Sequence, residues 1–141
     1  MDAKKVHDVV ELSASAAKTV TGNGSSVRLP GMVNGFAFVL DLTAAATDVG
    51  DLLDVYVQTK IDGTNWLDVV HFTQCLGNGG TKRYVSKIVA GAACAEFENG
   101  SALGAAGKRD LLGDEWRARW TVVDAGTDDA SFTFSVTACQ M

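Results

Sequence analysis

The residues of this chain that bear reactive chemistry are few. His71 and Cys75 stand four positions apart, which invites a metal-ligand or nucleophile reading. A zinc site takes three or four protein ligands, and a thiol nucleophile takes a base and an orienting acid; two side chains with no third member define neither. The commoner roles are a strand-end histidine and a small loop or core thiol, and His7 has no chemical context. Asp48, Asp51 and Asp54, and separately Asp124, Asp128 and Asp129, supply oxygens of the kind calcium takes. Neither set carries the spacing of an EF-hand loop, and acidic turns are usually just solvated. Trp66, Trp116, Trp120 and Tyr56 are aromatics that stack on sugar rings in carbohydrate-binding sandwiches, yet Trp116 and Trp120 share a face with Ala118 and Val122, which points to core packing. Gly77-Asn78-Gly79-Gly80 lacks the Lys-Ser/Thr and the following helix of a phosphate loop, so it reads as a turn. The residues by themselves predict no catalytic, metal or cofactor site.

The elements that position these side chains are β-strands. From Leu53 to Ile61 apolar residues and Thr59 alternate with Asp54, Tyr56, Gln58 and Lys60, the period-two pattern of a half-buried strand. Asp62-Gly63 supplies the turn, and Trp66–Val70 resumes the extended pattern, which predicts a hairpin. Phe36, Phe38, Leu40 and Leu42 mark a second strand, expected to lie beside the first because sequential strands are neighbours about two-thirds of the time. Lys82–Val89 alternates again, and residues 90–108 form a glycine-punctuated excursion with a short strand expected over Cys94–Phe97. Trp116–Val123 and Ser131–Ala138 alternate cleanly and are expected to pair antiparallel. Near the start, Val6–Leu12 reads as a strand or an arm laid on a neighbour, Ser13–Ala17 as weakly patterned, and Lys18–Thr21 as a short strand before the turn at 22–26.

The totals agree with this picture. A chain of 141 residues fits one domain, and 15 glycines beside a single proline, Pro30, suit many turns between short strands. A net charge of −5 works against nucleic acid as a partner, since phosphate binding needs clustered Lys and Arg. Cys75, Cys94 and Cys139 are odd in number and widely spaced, so they are read as reduced. No apolar leader segment or run of about 18 apolar residues is present, so neither secretion nor a membrane partner is expected, and synthesis in a cytoplasm is. The predicted fold is an all-β antiparallel two-sheet sandwich, jelly-roll-like, with residues 1–15 as an N-terminal arm or edge strand and 16–141 as a single domain.

Three segments together, DVYVQTKIDGTNWLDVVHFTQ, KRYVSKIVA and LGDEWRARWTVVDAGTDDASFTFSVTA, resemble the capsid decoration, or cement, proteins of short-tailed bacteriophages. The likeness runs from about Leu52 to the C-terminus. It implies a jelly-roll-like protein that binds the outer face of the shell, ties neighbouring capsomers together and carries out no reaction. The partners implied are the major capsid protein and further copies of the chain as a dimer or trimer, with no cofactor, and the location implied is the virion surface. On this reading Val6, Val9, Val10 and Leu12 form a candidate partner interface, because they are more apolar than a frayed terminus requires. The alternatives are a carbohydrate-binding or adhesin sandwich and a low-copy head–tail completion protein.

Overall fold

The computed structural model describes residues 9–29 and 33–141. Within them the chain forms ten strands and no helix: β1 (Val9–Lys18), β2 (Gly22–Asn23), β3 (Val27–Arg28), β4 (Gly35–Ala44), β5 (Leu52–Lys60), β6 (Trp66–His71), β7 (Cys75–Leu76), β8 (Lys82–Val89), β9 (Glu115–Val123) and β10 (Phe132–Gln140). One sheet runs β1-β10-β4-β8; the other runs β2-β9-β5-β6, with β3 also on β9 and β7 also on β5. Every pairing is antiparallel, and the two sheets pack as a sandwich. β4 pairs β10 while β5 pairs β9, so the outer pair of the chain encloses the inner one, the nested winding of a jelly roll.

The period-two pattern named the inward faces correctly. Phe36, Phe38, Leu40 and Leu42 of β4, Leu53, Val55 and Val57 of β5, Trp116, Ala118 and Trp120 of β9, and Phe132, Phe134, Val136 and Ala138 of β10 are all buried. Trp116 packs edge-on to Phe36 at 5.2 Å between ring centroids, and Trp120 packs edge-on to Phe134 at 5.7 Å. Each indole N–H stays satisfied, Trp116 donating to the Gly113 carbonyl and Trp120 to that of Val20, both at 3.0 Å.

Two expected pairings are not formed. β4 and β5 lie in opposite sheets, and so do β9 and β10. Strands side by side in one sheet would turn their apolar faces the same way and leave both to be covered by a third layer. Sent to opposite sheets, Trp120 and Phe134 cover each other, and the loops at 45–51 and 124–131 are long enough to cross the roughly 10 Å between sheets. The segment Cys94–Phe97 is not a strand. Ser13–Ala17 lies inside β1, which ends at Lys18, so no separate strand runs from Lys18 to Thr21, and the boundary drawn between residues 15 and 16 falls within a strand. Two register shifts interrupt β1, which is why its alternation is weak in the sequence.

Excursion 90–114 closes one side of the sandwich. The His71 N–H donates to the Gly107 carbonyl and the Arg109 N–H to that of Val69, which covers the free edge of β6. On the other sheet, Lys108 Nζ donates to the Lys87 carbonyl and Asp110 Oδ1 accepts the Val89 N–H, covering the end of β8.

Candidate functional site

The polar side chains that alternate outward on β5, β6 and β9 converge on the outer face of the larger sheet. The registers place Tyr56 between His71 and Arg119, and Gln58 between Asp68 and Arg117. A bulge in β6 decides which histidine face is used. Val69 is the extra residue, so Asp68 and His71 both point outward while Val69 and Val70 are both buried.

Two linked clusters result. In the first, His71 Nε2 donates to Asp54 Oδ1 at 2.8 Å, Nδ1 meets the Leu103 carbonyl at 2.7 Å, and Gln74 Nε2 donates to Asp54 Oδ2 at 2.9 Å. Both ring nitrogens of His71 thus face oxygens, one of a carboxylate and one of a backbone carbonyl. The His71 ring stacks on Tyr56 at 4.0 Å, and the Arg119 guanidinium lies 3.8 Å from the Tyr56 ring centroid. In the second cluster, Arg119 forks onto Asp68, with Nη2 to Oδ2 at 3.0 Å and Nε to Oδ1 at 3.3 Å. Gln58 donates to Asp68 Oδ1 at 2.9 Å and accepts from Arg117 Nε at 2.8 Å. Arg117 and Lys60 lie over Trp66 at 4.3 and 4.7 Å.

Burial, with the nearby Asp54 charge, raises the Tyr56 hydroxyl above its ordinary range, and burial, with Arg119 beside it, lowers Arg117. A cleft of about 190 Å³ lies beside this network, lined by Trp66, Asp68, Phe97, Ser101, Arg109 and Arg119. Arg109 closes it. Its Nη1 donates to the Asp68 carbonyl at 3.1 Å, its Nη2 to the Ser101 carbonyl at 3.2 Å, and its guanidinium stacks 3.9 Å from the Phe97 ring. The arrangement therefore fastens the excursion to the sheet through Arg109 and His71.

The residues singled out in the sequence are dispersed. His71 partners Asp54, not Cys75, whose thiol faces the Thr73 carbonyl and is pushed up to about 11 by burial, with the Asp54 charge adding to it. The aspartate sets split: Asp54 joins His71, whereas Asp51 Oδ1 accepts the Ala125 and Gly126 N–H groups and Asp48 Oδ2 accepts that of Asp128. No group of three or more His, Cys, Asp or Glu side chains among the described residues is placed to hold a metal ion. Trp116 and Trp120 are buried, and Trp66 is roofed by Arg117 and Lys60, so these aromatics form no planar exposed row for a sugar. Of the candidate interface, Val6 lies outside the described residues. Val9 is 64 % exposed, Val10 is half-buried against the core, and Leu12 belongs to the core itself, so its apolarity serves this domain and not a neighbour.

Arg119, Arg117, Gln58, Arg109 and Phe97 did not stand out in the sequence. The signal available for the first three was their outward position on strands already recognised beside Tyr56 and Trp66. For Arg109 and Phe97 nothing local pointed to their stacking. The chain matches no protein-family model, and no curated protein matches it.

Proposed function

We propose that this chain is a structural virion protein that binds the outside of a tailed-phage capsid shell and stabilises it by bridging capsomers. Support comes from the resemblance of its three β segments to decoration proteins. The observation that carries the reading furthest is the fastening of excursion 97–109 onto the outer sheet, where Arg109 holds the Asp68 and Ser101 carbonyls and His71 the Leu103 carbonyl. A protein whose loops are fixed before it meets its partner loses less conformational entropy on docking. A subunit that touches two capsomers gains effective concentration at its second contact, which raises avidity by roughly 10²–10⁴ without new chemistry. Val9, exposed where β1 begins, remains a candidate contact, whereas Leu12 does not.

The test is the copy number in purified virions, by quantitative mass spectrometry against the major capsid protein. Hundreds of copies per particle, and earlier heat-induced genome release from particles stripped of them, are the expected results. A few copies per particle would replace this reading with a head–tail completion protein, and none at all would overturn it.

A further inference from the structure

Seven large apolar side chains are exposed among the described residues, and four of them, Val20, Val49, Leu76 and Val123, gather at one end of the sandwich. The register fixes this. Leu52, the first residue of β5, lies opposite Leu76 on one side and Val123 on the other, so the three form a row across β7, β5 and β9. Leu53 and Cys75, next along those strands, are buried, so the row faces outward. Leu76 is 55 % and Val123 46 % exposed. Thr21, whose hydroxyl accepts the Val122 N–H, ties the segment bearing Val20, 71 % exposed, to the same end of β9. Val49, 80 % exposed, projects from the loop that enters β5.

This end is held rigid from beneath. Asp51 and Asp48, on either side of Val49, bind the backbone of loop 124–128 through their carboxylates. The Gly77 N–H donates to the Asp51 carbonyl, and Asn78 donates to that of Ala46. A Cβ on Gly77 would collide with the Asp48 carbonyl, so glycine is what lets the β7–β8 loop close onto this turn. Gly50, at φ +100°, gives the turn a conformation that a side chain would strain. Three loops are thus locked together while their apolar side chains point away from the core.

Acids outnumber cations in the loops at this end. Residues 43–59, 61–81 and 120–141 contain no lysine or arginine. Asp124, Asp128 and Asp129 are exposed in these loops and Asp48 is half-buried, whereas Asp51 is buried; the cations at the neighbouring strand ends are Lys18, drawn over the Trp120 ring, Lys82, and Arg83, which pairs with Asp41. An apolar row with Val20 and Val49 exposed at the same end, and with the exposed loop acids Asp124, Asp128 and Asp129 in excess over the cations, suits a protein surface of opposite character: a dry apolar contact for affinity, with lysine or arginine around it for orientation and rate.

We infer that the end of the sandwich bearing Val20, Val49, Leu76 and Val123 is a docking surface for a protein partner whose apolar contact is ringed by lysine and arginine. The identity of that partner as the capsid shell rests on the function proposed above; the chemistry of the surface does not.

The experiment measures binding of the full chain to heads stripped of it, from the phage that encodes it. The wild type is compared with Val49→Ser/Leu76→Ser and Asp128→Lys/Asp129→Lys, and with Ile61→Ser and Val85→Ser, exposed apolar positions elsewhere, as controls. Thermal melting of each variant verifies that it is folded. Both end variants should bind at least tenfold more weakly and the controls within twofold of the wild type. Raising the salt concentration should weaken the wild type more than the aspartate variant. If the wild type binds and the end variants bind equally well, or the controls lose as much, the docking surface is refuted while the shell-binding function stands. If the wild type binds no heads, it is that function which fails.

Discussion

Replacing Arg109 with alanine should loosen the excursion without unfolding the sandwich. Arg109 contributes one part-buried hydrogen bond to the Asp68 carbonyl at 3.1 Å, longer and more exposed ones to Ser101, and the stack on Phe97. A charged hydrogen bond contributes about 1.5–3 kcal/mol, and the low end applies to a group this accessible. An exposed cation–π stack adds about 0.5–1 kcal/mol. The sum, about 2–2.5 kcal/mol, falls on segment 97–102, which makes no strand pairing and contributes no residue to the buried core. The perturbation should therefore register as local opening. The Ser101 amide, bonded to the Glu98 carbonyl at 3.0 Å, is the reporter: its native-state hydrogen exchange should accelerate roughly 30- to 60-fold, since 1.4 kcal/mol is a factor of ten. Amides of β5 and β10 should change little, and Arg109→Lys, which keeps the charge without the fork, should recover only part of the protection. An unchanged Ser101 amide, or a fall in thermal midpoint as large as that of a core truncation, would show that Arg109 does not act as a separate fastening.

Phe134→Ala, which empties the site between Trp120 and the sheet, should cost about 3–5 kcal/mol in denaturant unfolding; an unchanged midpoint would contradict the assigned face. Cys94 is exposed and Cys75 is buried with its thiol pushed up to about 11, so a maleimide at pH 8 should label Cys94 first and Cys75 only on unfolding. Equal labelling rates would refute the placement of Cys75. Asp62 accepts the Asn65 and Thr64 N–H groups and the Asn65 side-chain amide, which lowers its carboxyl from 3.8 to about 2. The folded value lies below the unfolded one, so the turn's contribution is complete above about pH 4 and is lost as pH falls through 2. A carboxyl titration followed by NMR should show that midpoint, and one near 3.8 would mean that the turn is open in solution.

The alternation of apolar and polar residues determined which stretches are extended and which side of each faces inward. That much is local, because successive side chains on a strand leave on opposite sides wherever the strand is placed. It sufficed for the β5–β6 hairpin, whose turn at Asp62-Gly63 is equally local, with Gly63 at φ +77°. It did not suffice for partners. Nothing in Phe36–Leu42 or Leu53–Val57 says whether their shared need for burial is met side by side or face to face. The loop between them serves either course, and only the closure of a common core sends them to opposite sheets. The same limit hid the outer-face network. Strict alternation from Trp66 would turn His71 inward with Leu67, away from Asp68, and the bulge at Val69 reverses it. A bulge is set by the fit between two strands and leaves no mark in either one. The apolar end was equally out of view: Val20, Val49, Leu76 and Val123 are four isolated residues across a hundred positions of chain, and they come to one end of the fold because antiparallel register brings the start of β5 and the end of β9 together.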